Sequence, residues 1–95
     1  MAPLYKVLDD LSFIMESMVQ NCFGDAKHEL HNLAERLEND QAYAIEGRET
    51  LAAELREALF MIRGNGRPSG CLIVIKISRK LWKAAESVPC RKFDN

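Results

Sequence analysis

The chain is short of cysteine, of aromatic residues and of long apolar runs, and each shortage closes off a class of protein. Its three cysteines, Cys22, Cys71 and Cys90, are odd in number and share no recurring spacing, so they spell out neither a disulfide framework nor a zinc-ligand pattern. The N-terminal stretch MAPLYKVLDD lacks a basic region followed by an apolar core. Together these features lead us to expect a cytosolic protein with reduced thiols. The longest apolar stretches, 58–62 and 71–75, are broken by Arg63 and Lys76 and fall far short of the ~20 residues that span a bilayer, so no membrane passage is expected. Internal repeats and low-complexity segments are absent as well.

Catalytic signatures are also missing. His28 and His31 stand three apart with Cys22 upstream, yet a zinc site normally takes four ligands and the second pair has no counterpart. Two ordinary, partly exposed histidines are the expectation. The carboxylates fall on polar helix faces without marking an acid–base pair. Cys90 lies beside Arg91 and Lys92, which favour a thiolate, but it sits in a polar tail. The glycine cluster GNGRPSG at 64–70 lacks the GK[ST] ending of a phosphate loop. No catalytic, cofactor or metal residue is assigned, and an enzyme is not expected. With 95 residues the chain makes a single domain, 1–95, that buries roughly 60 to 65% of its unfolded surface, too little for a large internal active-site cavity.

What the chain does have is an ordinary globular composition, 47% hydrophobic and 28% charged, with an uneven distribution of charge. Residues 1–60 hold 12 acids and 5 bases, while residues 61–95 hold 8 bases and 2 acids, giving −7 and +6 within a net charge of −1. Such a split suits a basic face aimed at an anionic partner, or attraction between the two parts of the chain.

Apolar periodicity predicts helices throughout. Leu4, Leu8, Leu11, Met15, Met18 and Cys22 form a first stripe behind Pro3, which fits a first helical turn. Gly24 is expected to stop that helix, and Asp25 or a residue just before it to accept N–H bonds at the start of the next. A second stripe follows in Ala26, Leu30, Leu33 and Leu37, and a third in Leu51, Leu55, Ala58 or Leu59, and Ile62, running to Gly64. The polar stretch ENDQ at 38–41 ends the second helix or forms a turn within it, and Gly47 is a weak point. Two helices or one bent helix are therefore expected there.

Residues 71–77, CLIVIKI, are rich in β-branched residues and read either as a short buried strand or as helix. As helix, Cys71, Val74 or Ile75, Ser78, Leu81 or Trp82, Ala85 and Val88 make one face, with Ile73 and Ile77 outside it. Lys76, Arg79 or Lys80, and Lys83 make the other, until Pro89 ends the element. The expected fold is all-α: three to four amphipathic helices, a flexible Gly/Pro loop at 64–70, a basic C-terminal helix and a polar tail at 89–95.

The loop reads two ways. It is a pliant helix connection, or it is a handle, because Gly64, Gly66 and Gly70 permit an exposed, extended excursion around the tertiary Arg67–Pro68 amide. Gly66, Arg67, Pro68 and Ser69 would then be gripped by another protein, and a prolyl isomerase needs such an accessible bond. The basic helix has three uses open to it: phosphate contact, an acidic protein surface, or a solvated face. No second aromatic interleaves Lys76, Arg79, Lys80 and Lys83, so Trp82 is expected as a core or interface anchor, and direct nucleic-acid contact is disfavoured. A homodimer seamed by Leu4, Leu8, Leu11, Met15 and Met18 is a further alternative.

In length, in helical make-up along the whole chain, and in Pro68 within RGNGRPSG, the sequence resembles the anti-RecBCD accessory proteins of temperate lambdoid phages, specifically the second of the pair. The resemblance implies a non-enzymatic protein of the host bacterial cytoplasm. It would attach to the RecC subunit of the helicase–nuclease and alter its DNA degradation and Chi response in favour of phage recombination. It also implies a host cyclophilin-type prolyl isomerase as a partner acting at Pro68.

Overall fold

Residues 3–64 and 67–87 are described by a computed structural model of the chain. Their order is α1 (Pro3–Val19), α2 (Phe23–Asn39), a single 3-10 turn (Gln41–Tyr43), α3 (Arg48–Arg63) and α4 (Arg67–Ser87), with no strand among them. Each helix packs on two others, α1 on α2 and α4, and α3 on α2 and α4, so the four close around one core. The α-carbon envelope is only 17 Å through its shortest axis. That is room for two layers of packed helices, and the concavities lie between them.

The second and third stripes are buried as their periodicity predicts. Ala26, Leu30, Leu33 and Leu37 are fully buried, and Leu51, Leu55, Ala58, Leu59 and Ile62 join them in the core. The polar stretch between them is a true break. Glu38 and Asn39 complete α2, and the Asp40 carboxylate accepts the Ala42 N–H at 2.9 Å to cap the 3-10 turn. Gly47 then sits at φ 74° as the residue preceding α3, a left-handed conformation that side chains resist. Two helices, not one bent helix, are the outcome.

The first stripe is rotated from its expected position. Val7, Leu8, Leu11 and Ile14 are buried, whereas Leu4, Met15 and Met18 are half-buried and Cys22 is exposed. Because α1 meets both α2 and α4, its inward face is wider than one row of side chains. Nor does Gly24 end this helix. Asn21 takes φ 65°, Cys22 N–H donates to the Ser17 carbonyl at 2.7 Å and Asn21 N–H to that of Met18 at 3.0 Å, which is a Schellman ending with Asn in the glycine position. Gly24 lies one residue inside α2, and Cys22 precedes that helix without a side-chain cap.

Residues 71–77 are helix. Ile77, expected outside the apolar face, is buried with Val74, Ser78 and Ala85, and Ile73 packs half-buried against the core. Trp82 turns outward instead, 46% exposed. The expected loop at 64–70 is also shorter, because α4 begins at Arg67 and absorbs Pro68, Ser69 and Gly70. Proline suits a first turn, where its missing N–H leaves nothing unpaired. Gly70 does not serve flexibility at all: a Cβ there would lie 2.6 Å from Ile62 Cγ1 and 2.9 Å from the Ala58 carbonyl oxygen. Glycine is what lets α4 approach the α3 backbone. The expected tail at 89–95, with Pro89 and Cys90, lies outside the described residues, as does Val88.

Candidate functional site

The expected site residues divide into two places on α4. Arg67, Pro68 and Ser69 are all exposed in its first turn, while Gly66 lies outside the described residues. The described peptide bonds include no cis bond, so Arg67–Pro68 is trans. Arg67 is held in place: its guanidinium lies over the Phe23 ring, 4.4 Å from the centroid, which ties the start of α4 to the start of α2.

Further along, Lys76, Arg79, Lys80 and Lys83 are exposed with Trp82 and Leu72 on the outer side of α4. Lys76 with Lys80 and Arg79 with Lys83 are like-charge neighbours at i, i+4, an arrangement that costs a helix a few tenths of a kcal/mol per pair. Local helix stability does not account for that pattern. The bundle splits the four bases. Lys76 and Lys80 border a groove against α3 that they share with Glu54 and Glu57, and Lys80 extends to Glu46 in the adjoining one. Arg79, Lys83 and Trp82 border the opposite groove, about 490 Å³, with Met15, Ile75, Ser78 and Glu86. Part of the charge asymmetry is therefore met within the molecule, across the α3–α4 groove.

The α1–α4 groove was not legible from helix periodicity. It continues past Ile75 into an apolar pocket of about 180 Å³ lined by Met15, Met18, Val19 and Cys71. Val19 is 86% exposed beside it. The signal in the sequence was faint: two methionines at the edge of the first stripe, with Val19 just off it.

A polar cluster was also missed, since its members come from three elements. Asp10 Oδ2 accepts from Tyr43 Oη at 2.9 Å and from Arg36 Nη1 at 3.1 Å, and the Arg36 guanidinium lies 5.9 Å from the Tyr43 ring centroid. Burial and the hydrogen bond to Asp10 both raise the Tyr43 pKa. Burial opposes the Arg36 charge, but Tyr43 and Asp10 outweigh it and move the Arg36 pKa upward. The groups bind one another, bracing α1 to α2 and the 3-10 turn. The neighbouring concavity, about 680 Å³, is broad, and the residues that border it, Asn32, Glu35, Arg36, Asn39, Asp40 and Gln41, are all polar or charged, unlike the apolar lining usual of a ligand pocket.

His28 is exposed, and His31 Nε2 lies 3.7 Å from Glu35 of its own helix. Among the described residues no group of three or more His, Cys, Asp or Glu side chains is placed to hold a metal ion. Cys22 and Cys71 are not in disulfides, and no described helix is long and apolar enough to cross a membrane. The chain matches no protein-family model, no curated protein and no solved structure.

Proposed function

We propose that this chain is a phage-encoded, non-enzymatic modulator of the host RecBCD helicase–nuclease. It acts in the bacterial cytoplasm by attaching to the RecC subunit and altering DNA degradation and Chi response in favour of phage recombination. One observation carries the binding element: Trp82, 46% exposed between Arg79 and Lys83, stands at the edge of a groove on the outer side of α4. Tryptophan and arginine are the side chains most enriched at interface centres, and a surface of this kind acts by complementarity without chemistry of its own. The resemblance through Pro68 and helical make-up supplies the identity of the partner.

The same reading assigns a cyclophilin-type isomerase to Pro68. Pro68 and Ser69 are exposed, which supports access, but Arg67 is stacked on Phe23 and Gly70 is pressed against Ile62. Capture then means opening the first turn of α4 while Gly70 stays seated. Direct DNA binding draws less support, since Lys76 and Lys80 share their groove with acids. A homodimer through the first stripe draws less as well, because Leu8 and Leu11 are already buried.

The deciding experiment is affinity capture from a bacterial lysate with the tagged full chain. RecBCD and a cyclophilin-type isomerase should both be retained, and Pro68→Ala should lose the isomerase while keeping RecBCD. Retention of neither by the wild-type chain would overturn the reading.

A further inference from the structure

The seam between α1 and α4 is incompletely filled from the Val19 end of α1 to Trp82. Its floor is Met15, Met18, Cys71 and Ile75, with Met15 and Ile75 common to the two pockets that make it continuous. From Cys71 to Trp82 the strip follows α4 for about 16 Å, three helical turns. An unbranched methionine side chain can repack around different partners, so two methionines beside an isoleucine make an adaptable floor. Along one shoulder of the strip α4 presents Arg79 and Lys83, with Glu86 as the acid at its far end.

We infer that this groove receives one amphipathic helix of a partner protein, about three turns long, with apolar residues toward Met15, Met18 and Ile75 and an acidic edge along Arg79 and Lys83. Charge complementarity commits the occupant. A groove with an apolar floor and a basic shoulder takes helix-in-groove anchors at i, i+3 or i+4, and i+7, with carboxylates on one side only. Trp82 would close over the last anchor, and Arg79 would take a carboxylate through its planar guanidinium. A DNA duplex carries its charge on the outside and has no apolar ridge to fill such a floor. This inference rests on the proposed function only for the source of the helix, which would then belong to RecC; the chemistry of the groove stands apart from that identity.

The test uses the full chain and a synthetic helical peptide about four turns long, carrying leucines at i, i+3/i+4 and i+7 and glutamates along one edge. Trp82 is the sole tryptophan, so its emission reports the groove directly. A saturable blue shift is expected, weakened about tenfold or more by Arg79→Glu and by Ile75→Glu, and restored by Ile75→Leu. The same peptide with lysines for glutamates should bind at least about tenfold more weakly. Helicity is checked by circular dichroism, and if Ile75→Glu fails to fold, Arg79→Glu and the lysine peptide decide the matter.

Equal binding of the two peptides would overturn the inference, as would a concentration-dependent dimer that Ile75→Glu dissolves, since the occupant would then be a second copy. Failure is separable from that of the functional reading. RecBCD captured by the wild type while the glutamate and lysine peptides bind equally would overturn the groove and leave the reading intact. RecBCD captured by neither, with the glutamate peptide still bound, would overturn the reading and leave the groove.

Discussion

Where α2 meets α3, leucines and alanines of both stripes are buried and the rim is closed by Glu38 and Arg56; where α1 meets α4, two methionines, Ile75 and Trp82 stay partly in solvent. The Arg56 guanidinium donates to both Glu38 carboxylate oxygens, at 2.6 and 3.1 Å, a two-point contact that also fixes the register of its helices. The α1–α4 seam is bordered instead by Arg79, Lys83 and Glu86, all on α4. A small bundle can thus hold itself together along one seam and keep another adaptable. On the proposed reading, stability draws chiefly on the first seam and recognition on the second.

Core truncation is the strongest way to break this contrast. Leu33→Ala should lower unfolding free energy by about 2 to 5 kcal/mol, since a fully buried leucine loses both its transfer energy and its packing neighbours. Met15→Ala, on the half-exposed seam, should lower it by less. Urea midpoints of the two variants measure the difference, and equal losses would erase the distinction between seams.

Gly70→Ala comes next. The added methyl meets Ile62 and the Ala58 carbonyl, and overpacking of this kind costs about 1 to 3 kcal/mol. Pro68→Ala, two residues earlier in the exposed first turn, should move the melting temperature only slightly. A Gly70→Ala protein as stable as wild type would mean that α4 is free to shift on α3.

A smaller effect should follow pH. The hydrogen bonds from Arg56 hold the Glu38 carboxyl below its usual range. Its contribution is therefore complete above the unfolded value of about 4.3 and is lost as pH falls through the lower folded value. Glu38→Gln should flatten part of the acid-side decline in stability. The change should be small because both partners face solvent, each about 40% exposed.

Least of all should stability respond to the basic face. Changing Lys76, Arg79, Lys80 and Lys83 together to Gln should leave helicity and melting nearly unaltered, since exposed substitutions rarely unfold a protein. Capture of RecBCD at moderate salt should nonetheless fall. Unchanged capture would move the interface away from α4.

Legibility followed the same division. The stripes of α2 and α3 were readable position by position, because each meets its neighbours along the row of side chains that a 3.6-residue period brings together. On α1 and α4 the period was right and the facing was off: Ile77 is buried and Met15 and Met18 are at the edge, so the row that faces the core is offset from the one that the apolar spacing marks. The bases of α4 were legible as a set, but their division between Glu54 and Glu57 on one side and Trp82 on the other was not. Asp10, Arg36 and Tyr43 are too far apart in the chain for any local pattern to join them.

By itself the sequence determined an all-α chain, the burial of the second and third stripes, a weak point at Gly47 and a basic last helix. All of these follow from local periodicity, charge and backbone freedom. Only the tertiary structure decided which flank of α1 stays half open and which bases look outward. It also decided that Gly70 serves close packing rather than a loop. The physical reason is that a side chain's exposure and a glycine's purpose depend on which backbone comes near, and at Gly70 that is the α3 backbone at Ala58.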